Sequence, residues 1–202
     1  MTRQRIIDAA RRRLVDGTYS SVTMEDIAAE AGVAYQTVYA VFGTKLRLAQ
    51  EIIEAGFHFE GVEELAAQLR ASPDPEVGLR GGAKISRMIQ ETCADVIRFM
   101  RESGDPDLLA RYRQSNELRL SNLSDMPAML RKSGRLQPGL SEPDALAVLW
   151  AMTGPEMYAQ LVLERGWTPF HYEDWLGTAL ISLLLAPEEQ TARPVANPRR
   201  KR

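Results

Sequence analysis

The sequence predicts an all-α protein: an N-terminal three-helix head containing a helix-turn-helix, followed by a larger helical body. Apolar residues recur at helical spacing through most of the 202 residues, as at Ile6, Ala10 and Leu14, and no stretch alternates convincingly as a strand would. Residues suited to helix starts stand just before these stripes: Thr23 with Asp26 three positions later, Ser141, and Thr168-Pro169. Hydrophobic residues make up 45% of the chain and charged residues 26%, the balance of a folded globular protein large enough for a small head on a larger body.

The first helix is expected over 3–15, ended by Asp16-Gly17, with Arg11, Arg12 and Arg13 on its outer, solvated side. In the segment 22–45, Thr23 and Asp26 form a capping-box pattern, and Ile27, Ala28 and Ala31 share one inward face. Gly32 then turns the corner. A second helix over about 34–41 is expected to bury Ala34, Val38 and Val41 with Phe42, turning Gln36 and Ala40 outward between Thr37 and Tyr39. An outer face with so little charge is unusual for a helix that need only be soluble. Amides and hydroxyls on such a face suit the DNA major groove, where they reach base edges and phosphates.

The order Thr23, Ile27-Ala28, Ala31-Gly32-Val33, Thr37-Val38-Tyr39, Phe42 and Lys45-Leu46 resembles the N-terminal signature of the TetR family of transcriptional regulators, over about a quarter of the chain. The resemblance implies that Thr23, Tyr39 and Lys45 hold phosphates and that Tyr35, Gln36 and Thr37 approach bases. It departs from the family pattern at Tyr35, often Lys or another strongly polar residue, and at Val41, often aromatic or His. The second helix of the motif therefore has no Lys or Arg.

The body begins with a helix expected over 44–70, free of proline and closed by Ser72-Pro73-Asp74-Pro75. A fifth helix becomes regular from Ala83, after Gly78, Gly81 and Gly82, and ends at Ser103-Gly104-Asp105-Pro106. A short sixth helix through Leu109 and Tyr112, a seventh over 115–132 bent at Pro127, an eighth over 142–165 kinked at Gly154-Pro155 and a ninth over 168–185 complete the body. The last two carry more apolar surface than one core needs, which predicts a homodimer through them. The TetR resemblance implies the same. Domains are expected at 1–45 (DNA-binding head), 46–186 (effector-binding and dimerisation body) and 187–202 (a mobile tail ending in Arg199-Arg200-Lys201-Arg202).

Net charge is +2 over residues 1–50 and −4 over the rest, a modest polarity that favours steering the head onto DNA, with Arg3 and Arg5 as an arm to the backbone. One cysteine, Cys93, leaves no internal disulfide and suits a reducing cytoplasm; no apolar run is long enough to span a bilayer. His58 and His171 form no metal-spaced pair and Cys93 has no evident base, so no catalysis, metal or cofactor is expected. Met88, Phe99, Tyr112, Asn116, Met126, Trp150 and Tyr158 are the candidate ligand-binding residues for an apolar or aromatic small-molecule effector, with core packing as their alternative. The function expected is repression by a dimer on a roughly palindromic double-stranded DNA operator, released by that effector. A ligand-free regulator of the same fold and a helical small-molecule-binding protein with a vestigial head are the alternatives.

Overall fold

A computed structural model describes residues 2–17 and 19–187. Within them the head consists of α1 (Thr2–Asp16), α2 (Met24–Ala31), α3 (Tyr35–Phe42) and α4 (Lys45–Gly56). The body follows with α5 (Val62–Ala71), α6 (Pro75–Glu102), α7 (Pro106–Leu123), α8 (Met126–Lys132), α9 (Glu142–Met152), α10 (Pro155–Tyr158), a π-helical turn (Ala159–Glu164) and α11 (Pro169–Leu184). Among the described residues there is no strand and no helix long and apolar enough to cross a membrane; one isolated antiparallel bridge joins Leu136 to Leu185. All of the tail except Pro187, including Arg199 to Arg202, lies outside the described residues.

The head forms as its capping chemistry dictates. Thr23 Oγ1 accepts from the Asp26 N–H at 3.1 Å, and the Asp26 carboxylate accepts from the Thr23 N–H at 2.9 Å, closing the box at the start of α2. Gly32 ends α2 at φ 63°, a left-handed conformation that a side chain would strain. On α3 the buried stripe is only Val38 and Phe42. Ala34 and Val41, expected inward, are exposed: Ala34 is the extended N-cap, and Val41, three residues after Val38, rotates off the stripe.

The helix expected over 44–70 is two helices. α4 stops at Gly56, and Phe57 and Phe59, packed edge-on at 5.9 Å, anchor the turn to the head's core before α5 begins. No proline was needed for the break. The glycine-containing start of α6, by contrast, is continuous, with Asp74 capping the Glu76 N–H and Pro75 opening the first turn. A Cβ at Gly81 would come within 2.3 Å of the Leu69 side chain, so this glycine is what lets α5 lie against α6. The expected sixth and seventh helices are also redivided: α7 runs unbroken through Ser115, whose hydroxyl folds back on the Tyr112 carbonyl at 2.8 Å, and the break falls at Ser124-Asp125. The interruption at Gly154-Pro155 is present, and beyond it the chain widens into the π-helical turn.

Two apolar cores result. The first joins Ile6, Leu14, Ile27, Val38 and Phe42 to Leu48, Ile52 and Ile53 of α4, and to Cys93, Val96, Phe99 and Met100 of α6. The second joins Leu79 and Ala83 of α6 to Leu149, Tyr158, Tyr172, Leu176 and Leu180. The head's core therefore runs past residue 45, and α6 belongs to both cores. α6 also makes the broadest packing in the molecule, against α11.

Arg11 of α1 grips α6 directly. Its Nε and Nη2 donate to the two Asp95 carboxylate oxygens, both at 2.7 Å, and Nη2 also reaches the Thr92 carbonyl at 2.5 Å. The hydrogen bonds to Asp95 raise the guanidinium above its ordinary value. Arg11→Ala is expected to lower unfolding stability by about 1.5 kcal/mol, the low end for hydrogen bonds to charged groups because the pair is partly exposed, measured by chemical denaturation.

Asp26 has a second measurable consequence. The backbone hydrogen bond from Thr23, then the Thr23 hydroxyl, hold its carboxyl below the usual range. A depressed folded-state value stabilises the protein above the unfolded value of about 3.9 and ceases to do so as pH falls through the folded value. In thermal melts, Asp26→Asn is expected to lie below wild type at pH 7, with the gap closing as pH drops below about 4.

Candidate nucleic-acid interface and a polar seam in the body

Because Val38 and Phe42 consume the inner stripe of α3, its other side chains face out. Tyr35 is 38% exposed and Tyr39 57%, their rings 6.1 Å apart, with Gln36 and Ala40 exposed beside them and Thr37 half-buried on the flank. α3 presents phenol and amide groups with no formal charge and no side chain capping its first turn.

The residues expected at phosphates are placed unevenly. Thr23 is spent on the capping box, its hydroxyl donating to Asp26 at 2.7 Å. Lys45 turns inward: Nζ donates to the Tyr19 carbonyl at 2.6 Å and the Val22 carbonyl at 2.8 Å, and lies 4.4 Å from the Tyr19 ring centre. It pins the loop before α2 and keeps one of its three protons for another acceptor.

Arg3 and Arg5 are not an arm. Both lie in α1, Arg3 paired with Glu51 at 2.5 Å and Arg5 donating to the Ala31 carbonyl at the end of α2 at 2.6 Å. Arg12 and Arg13 share Glu30, at 3.2 and 3.3 Å, beside an open groove of about 500 Å³ also lined by Ser21 and Asp26. Sequence reading passed over Thr44 and Arg47. Both are exposed, and the Thr44 hydroxyl caps α4 through the Arg47 N–H at 3.1 Å. A threonine immediately before Lys45 was the available signal for that cap.

The seven candidate ligand residues do not fall in one core. Phe99 is in the head-side core, edge-on to Tyr19 at 5.6 Å; Tyr158 is in the body core, edge-on to Tyr172 at 5.1 Å, with Met126 half-buried against that core; Met88 is half-buried on α6. A second open groove, about 600 Å³, lies between α4 and the start of α7 and includes none of the seven. Tyr112, Asn116 and Trp150 do converge, around a residue the sequence reading missed. Arg119 follows Tyr112 and Asn116 on one face of α7 and lies 4.5 Å from the Trp150 ring centre. Its Nη1 donates to the Trp150 carbonyl at 2.6 Å and reaches Thr153 Oγ1 at 3.4 Å. Burial pulls this guanidinium below its ordinary value, although Glu156 opposes the shift.

From Thr153 a polar seam continues across the body. Ser86 of α6 donates to the Thr153 carbonyl at 3.3 Å and lies 3.4 Å from the Tyr172 hydroxyl. Gln90, one turn further along α6, is buried with Oε1 unpaired. Burial pushes the Tyr158 hydroxyl up to about 12 and the Cys93 thiol up to about 12, keeping both neutral and Cys93 a poor nucleophile. Among the described residues no cluster of His, Cys, Asp and Glu could hold a metal ion.

Residues 6–52 match the family model described as bacterial regulatory proteins, tetR family. A relative from Mycobacterium tuberculosis, the HTH-type transcriptional regulator AlkX, is 29% identical over 150 residues, covering 70% of this chain; the chain spans 63% of that relative's length. The crystal structure of the MbdR regulator from Azoarcus sp. CIB superposes with a TM-score of 0.74 at 16% identity, covering 92% of this chain and 100% of that one. Native NalD, the secondary repressor of the MexAB-OprM multidrug efflux pump in Pseudomonas aeruginosa, superposes at 0.64 with 21% identity, covering 91% of this chain and 96% of that one. The helix-turn-helix thus lies inside a segment that matches the tetR family of bacterial regulatory proteins, and the fold of the chain is the one these solved regulators share.

Proposed function

We propose that the protein represses transcription as a homodimer, each head laying α3 in a major groove of a roughly palindromic operator. The observation that carries this is the outer face of α3, where Tyr35, Gln36 and Tyr39 stand exposed without a structural partner that would explain them. Gln36 and Tyr35 approach base edges, with Thr37 beside them; Tyr39, Thr44 and Arg47 flank them at phosphates. Lys45 acts mainly by holding the loop that precedes α2. NalD, which shares the fold, is a repressor, and this supports the direction of control.

The dimer forms through α9 and α11. α9 beyond its first turn is apolar throughout, whereas α11 pairs its apolar faces with an exposed stripe of His171, Asp174, Thr178 and Ser182. Ala147 and Ala151, one turn apart, leave α9 smooth and exposed, while Phe170 and Thr178 are exposed on α11. Small residues permit close helix approach, and a second copy buries what one protomer leaves uncovered.

An effector entering the body releases the operator through α6, which belongs to both cores and is tied to α1 by Arg11. Coupling of this kind is typically about 1–3 kcal/mol. The scattering of the predicted ligand residues favours a second reading, a regulator that works without a ligand. Effector-free repression under all growth conditions would select it.

Gln36→Ala is expected to weaken binding to fragments selected from random DNA by about tenfold or more, at roughly 1–3 kcal/mol per lost base contact, and Tyr39→Ala, at a phosphate, to weaken it about equally on every sequence. Unchanged affinity in the double variant, read by gel shift at fixed salt, removes the DNA-reading assignment. Ala147→Arg with Thr178→Arg, both on a lone protomer's surface, is expected to sediment as a folded monomer; a persistent dimer relocates the interface.

A further inference from the structure

Arg119 is a half-buried cation of the body that forms no ion pair among the described residues. Among the described residues no carboxylate lies within 4.0 Å of it, whereas neighbouring arginines are satisfied: Arg87 by Glu91 and Glu173, Arg101 by Glu102 and Glu156. Its Nε is buried without a hydrogen-bond partner. The interaction with Trp150, one carbonyl and a stacked ring, asks for a hydrogen-bond donor and not for a full charge. A guanidinium half withdrawn from water, with its Nε buried and unpaired, gains from an anion that the chain itself does not place beside it.

The surroundings extend this demand. Gln90 is 3% exposed with Oε1 unpaired, and it shares the α6 face with Ser86, which reaches Thr153 and Tyr172. Met126, Met152 and Met157 pack half-buried around the same core, flexible side chains that can yield to a guest. The π-helical turn follows α10 directly, and irregular helix of this type recurs at functional sites.

We propose that this seam binds an amphipathic carboxylic acid, its carboxylate on Arg119 and its apolar tail between α6, α7 and the π-helical turn. A planar guanidinium matches a carboxylate through two parallel hydrogen bonds. One unneutralised cation balances one negative charge; a doubly charged phosphate would need a second, and Arg87 and Arg101 are already taken. Gln90 Oε1 accepts from a hydroxyl or amide N–H on the tail. The proposal deepens the effector reading above and rests on it.

The test titrates full-length protein, without DNA, with octanoate, dodecanoate, hexadecanoate and 2-naphthoate, each beside its matching alcohol or 2-naphthol, following tryptophan fluorescence and calorimetry. At least one acid is expected to bind about tenfold or more tightly than its neutral partner, the range for a hydrogen bond to a charged group. Arg119→Gln is expected to abolish that preference and Arg119→Lys to keep part of it, with circular dichroism confirming the fold of both. Equal binding of acids and alcohols overturns the anionic anchor while leaving an effector site in place. Binding by no member of the panel overturns both the anchor and an amphipathic effector, and does not touch DNA reading by α3. Acid preference retained in Arg119→Gln moves the site elsewhere and also overturns the proposal.

Discussion

The continuity of α6 is the constraint on which the rest of the structure depends. A helix of 28 residues in which Leu79 and Ala83 lie in one core and Val96 and Met100 in another cannot shift at one end without disturbing the other. Close-packed interiors resist gradual deformation and move between discrete packings. Arg11 adds a directional tie, since its paired hydrogen bonds to Asp95 set the rotation of α1 against α6 as well as the distance. The first helix of the head is thereby registered to the body, and α3 inherits that register through the core it shares with α1, α2 and α4.

Charge in the head is used chiefly for construction. Arg3, Arg5, Arg12, Arg13 and Lys45 each have a carboxylate or carbonyl partner within the protein, so the surface around α3 keeps little free positive charge. A weakly charged reader gains less from counterion release and depends more on groove-shaped contact and hydrogen bonds to bases. In the proposed reading Tyr35 and Tyr39, their rings tilted 36° and 6.1 Å apart, would supply such contact, with apolar ring faces and hydroxyls at their tips. The body shows the opposite economy. It buries polar groups along one seam and leaves Arg119 and Gln90 incompletely satisfied. An apolar replacement there would pack more comfortably, so the seam reads as a place where stability yields to recognition.

Local chemistry made much of the fold legible before any coordinates. The capping box of Thr23 and Asp26, the Gly32 corner, the proline-opened starts of α6, α7 and α11 and the interruption at Gly154-Pro155 are short-range effects, written in residues two to four positions apart. The breaks that were misjudged had long-range causes. α4 ends at Gly56 because Phe57 and Phe59 pack back into the head, and α5 can then lie on α6 because Gly81 makes room for Leu69. Neither cause is visible within a window of one helix.

What the amino-acid order determined alone was therefore the all-helical class, the helix-turn-helix and its TetR resemblance, since periodicity, caps and corner glycines act over a single turn of chain. Only the tertiary structure decided which charges were spent, because the pairing of Arg11 with Asp95, 84 residues away, and of Lys45 with carbonyls near α2 depends on how helices meet in space. The same holds for Arg119. Its place against Trp150 and Thr153, with no ion pair among the described residues, is a property of helices brought together, and nothing in the neighbouring letters of the chain announces it.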